Sequence, residues 1–488
     1  MTKKLHYATW GLIVFQVIFW TFVPLFAHHA PPLDVSEMHG WAQTFQWGFY
    51  KHPPMPTWII AASQFLVGKN MLSLFLPASL SIAGTYYCVG WLAGKFLPEK
   101  EAIVALFLYS LTIFCNLWST DFNHNQIQMP FWAMSIVFIY LTLTTGESVF
   151  AILLGVAMGL NALSKYTAAL LVPCVILLMI FSYEWRKKIS FKLFFFSAIA
   201  FFLTFGGHLQ WLLHNNFLPL RYVSDRFEEI HGQQSNLRAL LDYLGNIFGA
   251  HLLLLLMCIF LIVKYKNSPK ENFGLHSNKN LKFLWFIGAG PVLFSCLIGL
   301  AVPLYSRWST PMLPMITVIV GVYLLGRFKY LYTKRVFILY LVIQCILGLA
   351  YINKDKMNKE RSSRAIYPAP ELAAEVYRQW HEKYPNNEFK IVAGGEWEAG
   401  FVSLFSPIKT YVYTEANSDL APWVTEKMAN DCGLVMIAPS PQEIAKFPRV
   451  QMQPDIIIEK NALHSQGVLH WGLLAPLGDC SLKYLKFF

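Results

Sequence analysis

Two carboxylic acids, Asp34 and Glu37, stand three residues apart in a polar segment near the start of the chain. On a helix this spacing puts both carboxylates on one face, where either could act as a general base. The same spacing fits a capping box, in which an Asp at the N-cap and a Glu three residues later satisfy the first amides of a helix. Spacing alone leaves both interpretations open. The nearby His39, Lys51 and His52 favour a functional cluster, because a purely structural loop does not need them.

Lys51 and His52 come directly before a double proline, Pro53-Pro54. Two prolines force an extended backbone and end any preceding helix, so the pair is predicted to sit on a rigid turn beside the acids. A cation in that position could hold a phosphate group. The alternative is an interfacial lysine that buries its stem along the apolar surface, with a histidine in the headgroup zone.

A second polar segment contains Asp121, Asn123 and Asn125 between two apolar runs. These side chains could cap the neighbouring helices. They could equally bind sugar hydroxyls, because an amide offers a donor and an acceptor side by side.

Lys165, Arg307 and His208 each lie at the end of an apolar run. Single polar residues at such positions are commonplace in membrane proteins. Under the topology derived below, however, all of these clusters fall on one side of the membrane, which predicts that they line one outward-facing cavity.

The elements that must position these residues are membrane helices. Of the 488 residues, 55% are hydrophobic and 14% are charged, and the apolar residues form runs long enough to cross a hydrocarbon core of about 30 Å, which excludes a soluble protein. No small-residue cleavage site follows the first run, so it is predicted to be retained rather than removed as a signal peptide. About eleven spans are predicted, at 8–26, 72–94, 102–119, 127–144, 148–164, 167–184, 191–213, 238–263, 282–300, 311–326 and 336–352.

The basic residues set the predicted orientation. With the N-terminus inside, the inner segments hold seventeen Lys and Arg residues, against seven in the outer loops before residue 353. The positive-inside rule favours this arrangement, and an odd number of spans puts residues 353–488 outside. The net charge of +11 is thereby explained by topology, and nucleic acid is not an expected partner.

Two segments outside the spans have a predicted structure of their own. The outer segment 27–71 carries the acids, and its second half, 56–67, is too short to cross and is predicted to be an interfacial helix. Residues 1–352 are thus assigned to a transmembrane domain and 353–488 to a small periplasmic α/β domain. In that domain, strands are predicted at 390–393 and 434–437 and a helix at 370–383.

Two of the eight cysteines, Cys432 and Cys480, lie outside the apolar runs. The charge bias puts both in the periplasm, where oxidation is maintained, and this predicts a disulfide. Two separate buried thiols are the alternative. The other six cysteines have no ligand-like spacing, so packing is their expected role.

Five groups of residues occur in order along the membrane region. They are Leu33-Asp34-Val35-Ser36-Glu37 with Gly48-Phe49-Tyr50-Lys51-His52-Pro53-Pro54, Phe122-Asn123-His124-Asn125 with Pro130-Phe131-Trp132, Leu163-Ser164-Lys165-Tyr166, His208-Leu209-Gln210-Trp211 and Arg307-Trp308. In these motifs the chain resembles the bacterial branch of the protein-mannosyltransferase-like family. This is glycosyltransferase family 39 with its relatives, including the aminoarabinose and galacturonic acid transferases of lipid A and core lipopolysaccharide.

The resemblance implies the C-class glycosyltransferase fold, a polyprenyl-phosphate sugar as donor and inversion at the anomeric carbon. The resemblance also implies that an acid of the first outer loop serves as the base or as a group that orients the acceptor, a role that carries over to Asp34 or Glu37. Many relatives have adjacent Asp-Glu, whereas here two residues intervene, so the choice between the two stays open. Relatives also often have an Asp in the second outer loop, where this chain has Asn123 and Asn125, with Asp121 slightly earlier.

The chemistry required by such an enzyme agrees with the residues found. A base must deprotonate the acceptor, and cations must stabilise the leaving polyprenyl phosphate. The second role suits four residues, and the sugar or the acceptor would meet four others. The phosphate candidates are Lys51, His52, Lys165 and Arg307; the sugar or acceptor candidates are Asp121, Asn123, Asn125 and His208.

Several points stay open at the level of sequence. The expected acceptor is lipid A or core lipopolysaccharide, with a protein or another glycan as alternative, and the family branch alone supports this preference. The competing classes are a transporter or flippase of a lipid-linked substrate and a non-catalytic sensor. Transporters often have internal repeats and ionisable residues near the membrane midplane, and this sequence shows neither. No Gly-rich nucleotide loop occurs. No cofactor is certain, although a divalent metal could be held by Asp34, Glu37, His39 and His52, whose spacing matches no recognised metal motif.

Overall fold

Helices make up the first three quarters of the chain. The computed structural model describes all residues except 232–234, 266–277, 303, 325–332, 358–362, 462, 479 and 481–488. In this part the helices are α1 (Lys3–Ala27), α2 (Leu33–Trp41), α3 (Met55–Val67), α4 (Met71–Phe96), α5 (Glu99–Ser110), α6 (His124–Thr145), α7 (Ser148–Ser164), α8 (Leu171–Phe181), α9 (Tyr183–Arg186), α10 (Phe191–His214), α11 (Leu218–His231), α12 (Asn236–Ala250), α13 (Leu252–Tyr265), α14 (Asn278–Phe283), α15 (Gly290–Gly299), α16 (Ile316–Tyr323) and α17 (Thr333–Met357).

Six of the described helical stretches are long and apolar enough to cross a membrane. The pair α12 and α13, which is bent by 55°, is either a broken seventh span or a re-entrant loop. The other four predicted spans, 102–119, 148–164, 167–184 and 311–326, fall on shorter or interrupted helices. The end of the last one lies outside the described residues, as do the stretches 266–277 and 325–332 of two predicted inner loops. The count of eleven therefore stays a prediction. The six stretches are Lys3–Ala27, Met71–Phe96, His124–Thr145, Phe191–His214, Asn278–Gly299 and Lys334–Asp355.

Small residues bring two of these helices into close contact. On α7, Gly155 and Gly159 form a G-x-x-x-G pair that faces α10. A methyl group at position 155 would lie 2.2 Å from the Ser197 carbonyl oxygen, and one at position 159 would lie 2.6 Å from the Thr204 Cβ. Helices in a membrane associate through such close packing, because lipid offers no hydrophobic driving force between them.

The outer segment after α1 contains the two short helices α2 and α3. Pro53-Pro54 precedes α3, and Pro54 is its N-cap, as expected of residues that fit a helix start but not its interior. The predicted helix at 56–67 is therefore confirmed. Phe65 and Leu66 near its end are 89% and 77% exposed, and the location of this helix on a membrane surface stays a prediction.

The last quarter of the chain is an α/β unit built on a mixed sheet. Its strand order is β2-β1-β3-β6-β4, with β5 paired to β6; β1 is parallel to β2 and β3, whereas β6 is antiparallel to its neighbours. The predicted strands and helix are confirmed at β1, β3 and α18. The elements are α18 (Ala369–Lys383), β1 (Ile391–Gly394), α19 (Glu396–Phe405), β2 (Tyr411–Thr414), α20 (Glu426–Cys432), β3 (Leu434–Ala438), α21 (Pro441–Ala445), β4 (Gln451–Met452), β5 (Ile456–Ile458) and β6 (Gly467–Leu474).

This α/β unit packs against the acidic outer segment through α19 and α2. A methyl group at Gly400 would come within 2.3 Å of the Ser36 Oγ, so only glycine permits the contact. The Ser36 hydroxyl donates to the Trp397 carbonyl at 3.0 Å, and the Trp397 indole donates to the Pro31 carbonyl at 2.8 Å. The orientation of α2 therefore depends on the C-terminal part of the chain. The predicted domain boundary at 352/353 falls inside α17.

The predicted disulfide between Cys432 and Cys480 is confirmed, with the two Cα atoms 4.3 Å apart. Cys432 is the last residue of α20 and lies directly before β3. The bond closes a sequence separation of 48 residues and fastens the C-terminal segment to the sheet.

We expect Cys432→Ser to lower the free energy of unfolding of the α/β unit by about 2–5 kcal/mol, because a bond that closes a long loop restricts the unfolded chain. Thermal unfolding of the purified protein measures this. A reducing agent should lower the unfolding midpoint of the wild type and leave that of the variant unchanged. Cys345→Ser, which removes an exposed free thiol, is the control. Two free thiols in non-reducing mass mapping of oxidised protein would contradict the pairing.

Candidate active site

Asp34 lies in the first turn of α2, and it does not cap that helix. The N-cap is Pro32, and no side chain caps the helix start. The capping-box alternative is therefore excluded, because its Asp would have to occupy the N-cap position. Instead the Asp34 Oδ2 accepts a hydrogen bond from the Asn123 Nδ2 at 3.1 Å, which joins the first outer segment to the second.

Asp34 and Glu37 face the same cavity, as the three-residue spacing predicts. The cavity has a volume of about 330 Å³, and its walls come from four separate parts of the chain. It is lined by Asp34, Glu37, His52, Asn123, His124, Asn125, Lys165, Tyr305, Arg307 and Trp308. Seven of the ten residues predicted from the sequence are therefore brought together here, because His52, Asn123, Asn125, Lys165 and Arg307 line the cavity with the two acids. The other three, Lys51, Asp121 and His208, do not line it.

Lys51 lies between two carboxylates beside this cavity. Its Nζ is 2.6 Å from the Glu37 Oε1 and 2.5 Å from the Glu396 Oε2. The Tyr50 hydroxyl donates to the second of these carboxylates. The side chains of Lys51, Glu37 and Glu396 are only 17%, 7% and 17% exposed, so the charges are largely removed from water and depend on one another.

The two carboxylates of this cluster differ in their affinity for a proton. Burial raises the pKa of Glu37 well above its usual range, and the neighbouring Glu396 raises it further against the opposing charge of Lys51. For Glu396, burial also acts to raise the pKa, but hydrogen bonds with Glu37, Lys51 and Tyr50 and the Lys51 charge outweigh it and lower the pKa. Glu37 therefore holds a proton to higher pH than Glu396 does.

Asp34, which lines the cavity, and Asp121, which does not, form a second pair of neighbouring acids. Burial raises the pKa of Asp34, against the charges of Arg307, Lys51 and Lys165 and the Asn123 hydrogen bond. Burial and then the nearby Asp34 raise the pKa of Asp121 to about 8, and the Asp121 Oδ2 lies 3.4 Å from the Arg307 Nη1. A carboxylate with a raised pKa accepts protons more readily, which suits a general base.

Lys165 is placed between α7 and the 3-10 turn that leads into α8. Its Nζ donates to the Asn125 Oδ1 at 2.7 Å and lies 4.6 Å from the centre of the Trp308 ring. Burial lowers its pKa to about 7, with Asp34 acting in the opposite direction. The site therefore carries a lysine that can gain a full charge when an anion enters.

Two imidazoles complete the wall of the cavity. The ring centres of His52 and His124 are 3.8 Å apart. Burial lowers the pKa of His52 well below its usual range, and the charges of Lys165 and Lys51 add to this effect. His52 is thus a neutral hydrogen-bonding group at pH 7 in this structure rather than a second cation.

The amides of the second outer segment cap a helix and contact the site as well. Asn123 is the N-cap of α6, where its Oδ1 accepts from the backbone amides of Asn125 and Gln126, while its Nδ2 contacts Asp34. The capping interpretation is therefore confirmed for Asn123, and sugar binding by this residue stays a prediction. The Oδ1 of Asn125 accepts a hydrogen bond from the Lys165 Nζ.

His208 lies apart from the cavity, on α10. Only an N–H can bond to a carbonyl, so its Nδ1 donates to the Trp47 carbonyl at 2.5 Å and its Nε2 accepts from the Tyr166 hydroxyl at 2.9 Å. Its ring is stacked 5.8 Å from that of Trp211. Trp47 and Trp211 line a second cavity of about 590 Å³. His208 is outside its lining and contacts both tryptophans. A direct sugar contact by His208 stays a prediction.

The candidate metal ligands from the sequence are divided by the structure. Asp34, Glu37 and His52 line the cavity. His39 instead contacts the Gln64 Nε2 at 2.7 Å and the Ser403 Oγ at 3.2 Å. The buried imidazole of His39 thus joins α2 to α3 and α19.

Sequence reasoning did not select Glu396 or His124 as site residues. Glu396 begins α19, directly after β1 and the pair Gly394-Gly395. An acid that follows a buried strand and two glycines is a signal for a functional position. Its partner Lys51 is far away in the sequence, however, and nothing local indicates that the two meet.

The chain is similar to several known proteins. Residues 51–211 match the sequence family described as dolichyl-phosphate-mannose-protein mannosyltransferase. The chain is 25% identical over 163 residues to the lipopolysaccharide core galacturonosyltransferase RgtA of Rhizobium johnstonii, covering 33% of this chain and 32% of that protein. It is 24% identical over 295 residues to the lipid A galacturonosyltransferase RgtD of the same organism, covering 57% of each. The chain thus matches from a third to just over half of the length of these relatives.

Among solved structures, ArnT from Cupriavidus metallidurans bound to undecaprenyl phosphate is similar with a TM-score of 0.60 at 12% identity, over 95% of this chain and 98% of that one. The fold is that of the C-class glycosyltransferases. ArnT in the apo state gives a TM-score of 0.59. The resemblance indicated by the sequence motifs is confirmed, and the chain is a multi-pass membrane protein.

We expect Lys51→Met to destabilise the protein by about 3–5 kcal/mol, because it leaves two buried carboxylates without their cation. Glu37 and Glu396 would then keep protons to higher pH than in the unfolded chain. When folding raises the pKa of an acid, the folded protein becomes less stable as the pH rises from the unfolded toward the folded pKa. The fall in the thermal unfolding midpoint should therefore be larger at pH 8 than at pH 5.

Lys51→Met combined with Glu37→Gln is the matched control, since it removes one of the two carboxylates and should recover part of the loss. Unfolding of the detergent-solubilised protein followed by tryptophan fluorescence measures both. An equal loss at the two pH values, with no recovery in the double variant, would contradict the proposed charge cluster.

Proposed function

We propose that the protein is an inverting glycosyltransferase that moves a sugar from a polyprenyl-phosphate donor to lipid A or core lipopolysaccharide. The observation that carries this proposal is the cavity in a C-class fold where the acids Asp34 and Glu37 face Lys165 and Arg307. RgtA and RgtD are named as galacturonosyltransferases of core lipopolysaccharide and of lipid A, and the similar ArnT structure holds undecaprenyl phosphate. A protein or another glycan is the alternative acceptor.

Asp34 is the proposed general base. Its oxygen Oδ2 is held by the Asn123 amide, and among the described residues no cation lies within ion-pair distance of it. Glu37, in contrast, is 2.6 Å from Lys51. As the acceptor hydroxyl attacks the anomeric carbon, its proton passes to the Asp34 carboxylate, and the bond between that carbon and the phosphate oxygen breaks. Glu37 then acts by positioning Lys51 beside the cavity.

Lys165 and Arg307 are the proposed phosphate ligands. Negative charge develops on the leaving polyprenyl phosphate, and preorganised cations aimed at that charge lower the barrier. The neutral His52 offers a hydrogen bond in the same wall of the cavity. Lys51 would join these groups by exchanging one carboxylate partner for a phosphate oxygen.

Sugar recognition is assigned to the second outer segment. Asn123 and Asn125 line the cavity with Asp34. Asp121 holds Arg307 in place through their ion pair. The second cavity, with Trp47 and Trp211 in its wall, offers aromatic faces on which an acceptor sugar can stack. His208 would then contribute by holding both tryptophans in place.

The topology proposed from the sequence puts the N-terminus in the cytoplasm and the C-terminal α/β domain, residues 353–488, in the periplasm beyond an inner membrane. The positive-inside bias and the disulfide in the α/β unit support it. In intact spheroplasts, an impermeant thiol reagent should reach Cys480, the less buried of the two bonded cysteines, once the disulfide is reduced. Labelling that requires opening of the membrane would place this unit on the other side.

We expect Asp34→Asn to reduce sugar transfer by roughly two orders of magnitude or more, the usual contribution of a general base. The assay is mass spectrometry of lipid A and core from a deletion strain, which should lack one sugar that the wild-type gene restores. Glu37→Gln should cost less, since it removes only the partner of Lys51. Equal amounts of protein in the membrane are the control.

Near wild-type activity in both acid variants would overturn the role of the carboxylates. If lipid A and core were unchanged in the deletion strain, they would be excluded as the acceptor. Turnover of a polyprenyl-phosphate sugar by the purified protein in detergent, with no closed compartment, would exclude transport as its sole function.

Donor binding should depend on the charge of Lys165. Since its pKa is about 7, the free enzyme loses this charge between pH 6 and pH 8. Protonating the group on binding at pH 8 then costs about 1.4 kcal/mol, or roughly tenfold in affinity. We expect the affinity for undecaprenyl phosphate to fall by up to about that factor relative to Lys165→Arg, which stays charged. The phosphate of the ligand titrates in the same way with both proteins, so it does not affect the comparison. If binding to the wild type and to Lys165→Arg depended on pH identically, Lys165 would not belong to the phosphate site.

A further inference from the structure

We propose that His29, Glu371 and His464 form a binding site for a divalent transition metal, most suited to Zn²⁺. The three ligand atoms all lie within 4.8 Å of one another. His29 belongs to the outer segment after α1, whereas Glu371 is on α18 and His464 precedes β6. The site is separate from the cavity around Asp34 and does not depend on the proposed transfer reaction.

The distances in this cluster suit a compact coordination site. The His29 Nε2 lies 2.9 and 2.8 Å from the two carboxylate oxygens of Glu371. The His464 Nε2 lies 3.8 Å from the Glu371 Oε1, and the two imidazole ring centres are 5.3 Å apart. Ligand atoms that lie about 2.0–2.2 Å from a tetrahedral zinc are roughly 3.3–3.6 Å from one another. The separation of His29 from Glu371 would therefore widen slightly and that of His464 from Glu371 would shorten slightly when the metal binds.

Hydrogen bonds around His464 set its tautomer for metal binding. Its Nδ1 donates to the Ser465 carbonyl at 3.0 Å, so the lone pair is on the Nε2 that faces Glu371. The Asn461 Nδ2 donates to this Nε2 at 2.8 Å, and a metal would displace that amide. A histidine whose other nitrogen donates to a carbonyl is the usual arrangement of a metal ligand.

The ligand types and their exposure favour zinc. Two neutral imidazoles and one carboxylate form a donor set that zinc sites use, with a water at the fourth position. His464 is 3% exposed and Glu371 is 36% exposed, so the site is protected on one side and open to a metal and water on the other.

A metal at this point would fasten the start of the acidic segment to the α/β unit. The backbone amides of His29 and Ala30 both donate to the Ala365 carbonyl, at 2.6 and 3.2 Å. His29 lies four residues before Leu33, the first residue of α2, which is the helix that carries Asp34. The metal would therefore strengthen a contact on which the orientation of that helix depends.

The test uses the full-length protein in detergent. The protein is stripped with a chelator, incubated with ZnCl₂, desalted and analysed for zinc by mass spectrometry. We expect the wild type to retain zinc and to show a raised thermal unfolding midpoint with it. His464→Gln and Glu371→Gln should each lose at least the roughly 10- to 100-fold in affinity that even a change outside the ligand set causes.

His470→Gln is the matched control, because His470 pairs with a single carboxylate, Asp455, at 2.9 Å in the same part of the chain. It should retain zinc as the wild type does. His29→Gln, at a partly exposed position outside the sheet, covers the case in which His464→Gln fails to fold. The proposal is overturned if the wild type retains no zinc, or if the folded ligand variants retain it with wild-type affinity.

Discussion

The contact of Lys51 with Glu37 and Glu396 is the interaction on which the arrangement of the site depends. It joins α2, the double-proline turn and α19, three segments from two ends of the chain. Charges that are taken out of water must be paired, and removing one partner is strongly destabilising. One lysine cannot neutralise two carboxylates fully, and the raised pKa of Glu37 resolves this by letting a proton share the site.

The orientation of α2 follows from that cluster and decides the direction of Asp34. Ser36 and His39 on the same helix contact α19, so one face of α2 is committed to the α/β unit. Asp34 and Glu37, three residues apart, line the cavity. The α/β unit is therefore a structural part of the site and not an appendage, because it supplies Glu396 and the surface that holds the acidic helix.

Local patterns in the sequence determined a large part of this architecture. Apolar runs fixed where the membrane helices lie, since backbone groups in lipid must bond within a helix. The shared face of Asp34 and Glu37 follows from helix geometry, and the gathering of Lys165 and Arg307 beside Asn123 follows from loops that end on one side of the bundle. The pairing of Cys432 with Cys480 was also accessible, because both are excluded from the apolar runs.

Tertiary structure decided what depends on distant contacts or on the residue at which a helix begins. Pro32 rather than Asp34 occupies the N-cap of α2, and a shift of this size cannot be read from spacing. Glu396 reaches Lys51 only because the sheet places the start of α19 against the outer segment. His208 turned toward Trp47 rather than into the cavity. Local backbone geometry acts within a few residues, whereas these outcomes are set by packing between segments hundreds of residues apart, where the sequence alone gives no distance.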